Sequence, residues 1–261
     1  MSVHFTRSAI VLAMAALLAG CATDPNGLTS RQAARIDRVL ATAPGAAQPS
    51  TIVATEVAFA RMARDEGQWT AFRHFATEDA VMHGPSGPFP AQAWLANRGD
   101  PAAAVQWAPR TVWVSCDATL AVSMGRYRDP AGAVGSFVTV WRRQDDGTYR
   151  WVYDGGADDD PQPAPRTDSE PGPDEIVVTA FDTIKGEVAD CPKPGEAVAA
   201  PRWDPVVSGA EVGGGRSDDG SLVWQWRQGA DGTRRISSFI WQDGAWREAA
   251  YFDFASPDLG T

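Results

Sequence analysis

Cysteine and histidine are scarce in this chain of 261 residues, which contains three of each. One cysteine belongs to an N-terminal segment considered below, and the two cysteines and two histidines that remain lack the close ligand spacing of a structural zinc site. The sequence also lacks the GxSxG, GxxxxGK[ST], HExxH and CxxC motifs of hydrolases, nucleotide-binding proteins, metalloproteases and dithiol enzymes. We therefore predict no metal site and no cofactor.

Basic residues and long apolar runs are also in short supply. Lys and Arg number 23 against 33 Asp and Glu, for a net charge of −10, which disfavours a nucleic-acid partner. No segment beyond the N-terminus contains the roughly eighteen apolar residues that a membrane span requires. Tryptophan, by contrast, is abundant: the eleven Trp residues must lie in a core, on a sheet or around a pocket.

The N-terminal segment differs from the rest of the chain. Arg7 precedes an uncharged apolar run from Ala9 to Ala19, which is too short to span a bilayer and is typical of a signal peptide. The run leads into Leu18-Ala19-Gly20-Cys21, which resembles the lipobox of bacterial lipoproteins. That resemblance implies lipidation of Cys21 and stable membrane anchoring. Ala22 implies the outer membrane, facing the periplasm. The alternative is an ordinary secretory signal with a chance cysteine.

The two remaining cysteines are Cys116 and Cys191. An exported chain enters an oxidising compartment, where a disulfide is allowed. Closing the long loop between them would stabilise the fold by roughly 4 kcal/mol. The alternative is a pair of buried, inert thiols, and the sequence leaves both possibilities open.

Hydrophobic periodicity predicts an α+β fold, because helical patterns come first and alternating strand patterns follow from about residue 104. An Asp146-Gly147 pair marks a hairpin between two of the strands. The predicted divisions are a signal peptide (1–20), a tether with a short helix (21–49), a helix-and-strand domain (50–156), an acidic Pro-rich linker (157–174) and a β-rich C-terminal region (175–261).

An internal similarity links the two β-rich regions. GSFVTVWRRQDDGTYR begins at Gly135 and GSLVWQWRQGADGTRR begins at Gly220, and nine of the sixteen aligned positions are identical. A duplicated hairpin would explain this similarity. Convergence on a favourable turn and favourable cross-strand aromatic pairs would explain it equally simply.

The stretch from Glu56 to Asp154 carries a family resemblance. It includes AFARMARDEGQWTAFRHFATEDAVMHGP, QWAPRTVWVS and VTVWRRQDDGTYRWVYDGG. It resembles the nuclear-transport-factor-2-like superfamily, also called ketosteroid-isomerase-like or SnoaL-like, and within it bacterial secreted domains of unknown function. The resemblance implies a cone-shaped curved antiparallel sheet packed on about three helices, with a pocket at its open end.

The resemblance carries over few catalytic residues. Gly84 stands where ketosteroid isomerases have a general-base Asp, and Ala60 stands where they have a Tyr. Neither side chain can transfer a proton or donate a hydrogen bond, so that mechanism is not expected. The remaining candidates are His83, as a substitute base, with Asp79 or Glu56 beside it. Asp154, at the end of the last strand, is a further candidate carboxylate.

Four tryptophans of this domain are predicted to line the pocket, with packing in the core as the alternative: Trp94, Trp113, Trp141 and Trp151. We consider three functional hypotheses. The first is an envelope lipoprotein whose cone binds a small apolar ligand or a protein partner. The second is an isomerase, dehydratase or hydrolase that uses His83. The third is an assembly module in which residues 175–261 cover the outer face of the sheet and leave the protein monomeric.

Overall fold

A computed structural model describes residues 47–164, 183–193 and 198–254. The predicted signal peptide, Cys21 and the short helix of the tether lie outside the described residues, as do residues 165–174 of the predicted linker. Within the described ranges, no helix has the length and apolarity needed to cross a membrane.

In the described part of the chain, three helices precede or interrupt the strands: α1 (Pro49–Glu66), α2 (Gln68–Phe75) and α3 (Ala91–Leu95). The first helix buries Ile52, Glu56, Phe59 and Ala63, a spacing of three or four residues that places them on one face. It ends at Gly67, whose φ of 121° is open to glycine at little cost.

The N-terminus of α2 is held by a residue distant in sequence. The Asp100 carboxylate accepts hydrogen bonds from the backbone N–H groups of Trp69 and Thr70, at 2.5 and 3.0 Å, and from the Thr70 hydroxyl at 2.6 Å. Such acceptors satisfy the free N–H groups at a helix start. This contact fixes the angle at which α2 follows α1.

The first sheet has seven strands in the order β2-β1-β6-β5-β4-β3-β7. All neighbours are antiparallel except β1 with β6 and β3 with β7, which are parallel. Its strands are β1 (Ala76–Gly84), β2 (Gly87–Pro90), β3 (Gln106–Val114), β4 (Leu120–Arg128), β5 (Val134–Arg143), β6 (Tyr149–Asp158) and β7 (Lys185–Val188).

The second sheet is an antiparallel meander of four strands in the order β11-β10-β9-β8. Its strands are β8 (Glu211–Arg216), β9 (Leu222–Gln228), β10 (Arg234–Gln242) and β11 (Ala245–Phe254). A large curved sheet with few helices and an extra β-rich C-terminal region confirms the predicted α+β fold class.

The first sheet is covered on both faces, by the helices on one side and by the second sheet on the other. Strand β5 shows this most clearly: Trp141 packs in the core under the helices, whereas Val138 and Val140 pack against residues of the second sheet such as Leu222 and Ile236. The C-terminal meander therefore lies on the outer face of the cone, as the third hypothesis required.

Two tight turns hold the sheets together through reciprocal hydrogen bonds. Asp117, between β3 and β4, accepts the backbone N–H of Asp219 at 2.8 Å, and Asp219, between β8 and β9, accepts that of Asp117 at 3.0 Å. The other carboxylate oxygen of each aspartate accepts hydrogen bonds within its own turn. Beside this pair, Cys116 and Cys191 form a disulfide, which is one of the two states that the sequence left open.

Candidate functional site

A cavity of about 250 Å³ opens on the helix side of the first sheet. Aromatic side chains from α1, α2, β3, β4 and β5 make up most of its wall, and polar groups are few. The lining residues are Phe59, Gln68, Trp69, Phe72, Met82, Val105, Trp107, Tyr127, Phe137, Thr139, Asp154 and Gly156. Asp154 is the only acidic group in this lining.

Asp154 is placed by the register of the β5–β6 hairpin, in which it lies opposite Thr139. The Thr139 hydroxyl donates to Oδ2 of Asp154 at 2.7 Å. None of the described residues donates to the other oxygen, Oδ1, which leaves that acceptor for a molecule in the cavity. Desolvation by the surrounding protein raises the pKa of Asp154 to about 6, and the hydrogen bond from Thr139 opposes part of this increase.

Glu56 lies behind the cavity wall on α1, with 1% of its surface exposed. Its Oε1 accepts hydrogen bonds from the Ser123 hydroxyl and the Trp141 indole, and its Oε2 accepts one from the Trp107 indole at 3.1 Å. Burial raises the pKa of Glu56 to about 7, the three hydrogen bonds oppose this, and the negative charge of Asp154 raises it further.

The two carboxyl groups therefore have different uses. Both oxygens of Glu56 are occupied by donors from the protein, one of which is the ring of Trp107 in the cavity wall. Glu56 thus orients part of the wall without itself reaching the cavity. Asp154 retains an available oxygen and can accept a hydrogen bond or a proton from a bound molecule.

His83 lies on the opposite face of the sheet. Alternation along β1 directs Met82 into the cavity, so its neighbour His83 faces the second sheet. Its Nδ1 is 3.0 Å from the Tyr153 hydroxyl and its Nε2 is 3.0 Å from Oε1 of Gln228. Its ring also packs against Trp226. Burial lowers the pKa of His83.

The predicted pairing of His83 with a carboxylate is therefore corrected. Asp79 is exposed and forms an ion pair with Arg142 at 2.9 Å, and Glu56 bonds to Ser123 and two indoles on the helix side. The structure does not bring either carboxylate to His83. Sequence alternation shows that adjacent strand residues face opposite sides, but not which side is the interior of the cone.

The four tryptophans predicted to line the pocket are not among its lining residues. Trp141 and Trp151 are completely buried in the core under the helices, and Trp113 packs on the side of the second sheet. Trp94 packs against Trp69. The tryptophans that do line the cavity are Trp69 and Trp107, which the prediction omitted.

The sequence of the β5–β6 hairpin contains a pattern that favours Asp154 over the other candidate carboxylates. Phe137, Thr139 and Trp141 alternate on one face of a strand, and counting outward from the Asp146-Gly147 turn brings Asp154 close to Thr139. The exact pairing depends on a register shift between Val140 and Trp141, which the sequence does not reveal.

Comparisons with known proteins add little to this geometry. No protein-family model and no curated protein matches the chain. One matching crystal structure is described as a "putative ketosteroid isomerase" from Parabacteroides distasonis ATCC 8503. It shares 15% identity with a TM-score of 0.35, over 46% of this chain and 94% of that one. Likeness at this level carries no information about activity.

Proposed function

We propose that the cone domain binds a small, mostly apolar molecule in the aromatic cavity and fixes its orientation through Asp154. The observation that carries this proposal is a carboxylate, one oxygen of which accepts no hydrogen bond from the described residues, in a wall otherwise made largely of rings and aliphatic groups. Sites of this composition are typical of small-molecule pockets, which enclose roughly 300–1,000 Å³. A cavity of about 250 Å³ lies just below that range and favours a small ligand.

The chemistry of Asp154 narrows the class of ligand. With a pKa of about 6, its carboxyl group is mainly ionised at neutral pH and acts only as a hydrogen-bond acceptor. A hydroxyl, amide or amine on the ligand supplies the matching donor, while the rest of the molecule packs on rings such as Phe59 and Trp107.

Native mass spectrometry of the chain purified from its own host tests this proposal. We expect an additional mass that survives mild desolvation in the unmodified chain and in the Asp79→Asn control, which neutralises an exposed carboxylate on β1. Asp154→Asn should lose that mass or bind the extracted ligand at least about tenfold more weakly. Absence of any retained molecule, together with no binding from a library of small apolar alcohols and amines, would overturn the proposal.

Asp154 also favours a second candidate function, a pocket enzyme of isomerase or dehydratase type. A carboxylate with a pKa of about 6 in an apolar cavity suits a general base near neutral pH. In this alternative Asp154 takes the part that the sequence had assigned to His83. Incubating the extracted ligand in D₂O distinguishes the two functions. An enzyme exchanges a ligand C–H or converts the ligand, and Asp154→Asn abolishes this, whereas a binding protein leaves the ligand unchanged.

We further propose that the chain is an envelope lipoprotein anchored through Cys21. Support comes from the sequence alone, namely the positive start, the apolar run and the Leu18-Ala19-Gly20-Cys21 motif. Metabolic labelling with an alkyne fatty acid should mark the native chain but not Cys21→Ala. Membrane fractionation should place the native chain in the outer membrane and Ala22→Asp in the inner membrane. Labelling of Cys21→Ala would contradict this assignment.

A further inference from the structure

A second cleft lies at one end of the C-terminal sheet. It encloses about 610 Å³ and is bordered by the β9–β10 turn, the end of β11 and the segment from Asp204 to Ala210. Three arginines and three aspartates border it: Arg227, Arg234, Arg235, Asp204, Asp231 and Asp253. No function considered above uses this cleft.

Arg234 differs from the other charged groups in the cleft. It is 4% exposed, and its Nη1 donates to the backbone oxygen of His83 at 3.3 Å. Its guanidinium also packs over the ring of Phe254, 4.8 Å from the ring centre. Its Nε is buried without a hydrogen-bond partner, and none of the described residues accepts from Nη2. Among the described residues, the Nε/Nη2 edge of the guanidinium therefore has no hydrogen-bond partner.

The acids of the cleft do not neutralise Arg234, because each already has a partner. Asp253 and Asp204 both bind Arg235. Asp231 accepts the backbone N–H and the hydroxyl of Thr233, at 3.0 and 2.7 Å. Within the described ranges, Arg234 forms no ion pair.

A buried arginine without a counter-charge is costly. Guanidinium does not give up its proton in proteins, and burying an unpaired charge is strongly unfavourable. Desolvation lowers the pKa of Arg234, and the only opposing contributions come from Tyr153 and Tyr127 rather than from any carboxylate. An anion from outside the protein would remove this cost.

We propose that the cleft is a binding site for a small oxyanion, the carboxylate or phosphate group of a ligand, held by the Nε/Nη2 edge of Arg234. Two parallel N–H donors at fixed spacing match two oxygens of such a group, and this bidentate geometry is the arrangement that arginine favours. The volume of the cleft leaves room for further ligand atoms beyond the anionic group.

Arginine side-chain NMR of the full-length chain provides the test. The Nε–Hε signal of Arg234, assigned by its absence in Arg234→Lys, should shift on titration with inorganic phosphate or with acetate, but not with chloride at equal ionic strength. Response to phosphate alone identifies a phosphate group as the ligand chemistry, and response to acetate alone identifies a carboxylate. Arg234→Lys keeps the positive charge but loses the two parallel N–H donors. Its affinity for the anion, measured by calorimetry, should be about tenfold lower.

Arg227→Lys is the matched control. Arg227 lines the same cleft, but each of its nitrogens already donates, to Oε1 of Gln225 and to the backbone oxygens of Pro205 and Asp204. This variant should bind the anion as the native chain does. The proposal fails if neither anion shifts the Arg234 signal, or if Arg234→Lys and Arg227→Lys bind equally well. Either result would leave Arg234 as a purely structural contact with His83 and Phe254.

Discussion

The hairpin β5–β6 in the cone and the hairpin β9–β10 in the C-terminal sheet share a turn but face different surroundings. Asp146 accepts the backbone N–H and hydroxyl of Thr148 at 2.9 and 2.6 Å, and Asp231 accepts those of Thr233 at 3.0 and 2.7 Å. Yet Trp141 packs beneath the helices, whereas Trp226, its equivalent in the sequence repeat, contacts His83 between the sheets.

The difference teaches that a repeated hairpin pattern specifies the turn and the pairing, but not which face becomes interior. Strand β5 is buried on both faces, because helices and a second sheet cover it. Strand β10 alternates buried and partly exposed residues along most of its length, because the first sheet covers one face and residues such as Trp203 cover the other only in part. The aromatic cavity therefore requires the helices as well as the hairpin, because both contribute lining residues.

Breaking the disulfide is expected to have the largest effect on the stability of the fold. Cys116→Ser combined with Cys191→Ser opens a loop of 75 residues, which should lower the free energy of unfolding by roughly 4 kcal/mol. Urea denaturation followed by circular dichroism measures this loss. Reductant should destabilise the native chain by a similar amount and leave the double variant unchanged; sensitivity of the double variant would contradict the assignment.

Truncating the core between the sheets should have the next largest effect. Ile236 is completely buried there, and Ile236→Ala should cost about 2–5 kcal/mol. Ser237→Ala, one residue along and on the other face, should stay within about 0.5 kcal/mol of the native chain. If the sheets form one cooperative core, tryptophan fluorescence and far-UV circular dichroism will report the same midpoint. Two separate transitions would show that the meander folds independently.

Neutralising Asp154 should stabilise the protein in a pH-dependent manner. Its pKa is raised from 3.8 to about 6 on folding, so the folded chain binds more protons than the unfolded chain between about pH 4 and 6. Stability attributable to this group is therefore full below pH 4 and falls as the pH rises through 6. Asp154→Asn removes that loss. The free energy of unfolding of this variant should exceed that of the native chain by at most about 3 kcal/mol above pH 7, with no gain below pH 4.

For comparison, Asp79→Asn should change stability in the opposite direction. The nearby Thr77 hydroxyl and the Arg142 guanidinium lower the pKa of Asp79, so its charged form is favoured by folding and its neutralisation should slightly reduce stability at neutral pH. Thermal unfolding from pH 4 to 8 measures both variants. A gain for Asp154→Asn that persists unchanged at pH 4 would show that its cause is packing rather than titration.

Disrupting the two matched turns should have the smallest effect and tests their equivalence directly. Asp146→Ala and Asp231→Ala each remove the same pair of hydrogen bonds to a threonine, at exposed positions. We expect small and equal decreases in Tm. A clearly larger effect of one substitution would show that the surroundings of the turn, rather than its local chemistry, set its contribution.

The sequence predicted what local chemistry determines. The Asp146-Gly147 pair correctly placed a hairpin. It could not decide which alternate residues of β1 face the cavity, so His83 was predicted on the wrong side of the sheet. It also could not reveal that Trp141 and Trp151 fill the core, because an aromatic residue suits a core and a pocket equally well.

A second repeat, which sequence reasoning missed, explains how the sheets meet. Residues 115–120 read SCDATL and residues 217–222 read SDDGSL. In both turns an aspartate accepts a hydrogen bond from the preceding serine, and Leu120 and Leu222 then enter the same core. Ser-x-Asp-x-Ser/Thr-Leu is too short to stand out by identity alone, and only the reciprocal contact of the two aspartates shows its role.

The reciprocal hydrogen bonds between Asp117 and Asp219 join two sheets of the same chain, and this determines how thermal stability depends on protein concentration. The sheet that covers the outer face of the cone belongs to the same chain. Its effective concentration at that face is therefore set by the connecting segment and not by the protein concentration. Folding should therefore be a unimolecular event with a Tm independent of protein concentration, unlike that of a dimer sharing the same face. Because the covering sheet belongs to the same chain, this apolar surface stays covered at low protein concentration, where a dimer would dissociate and expose it.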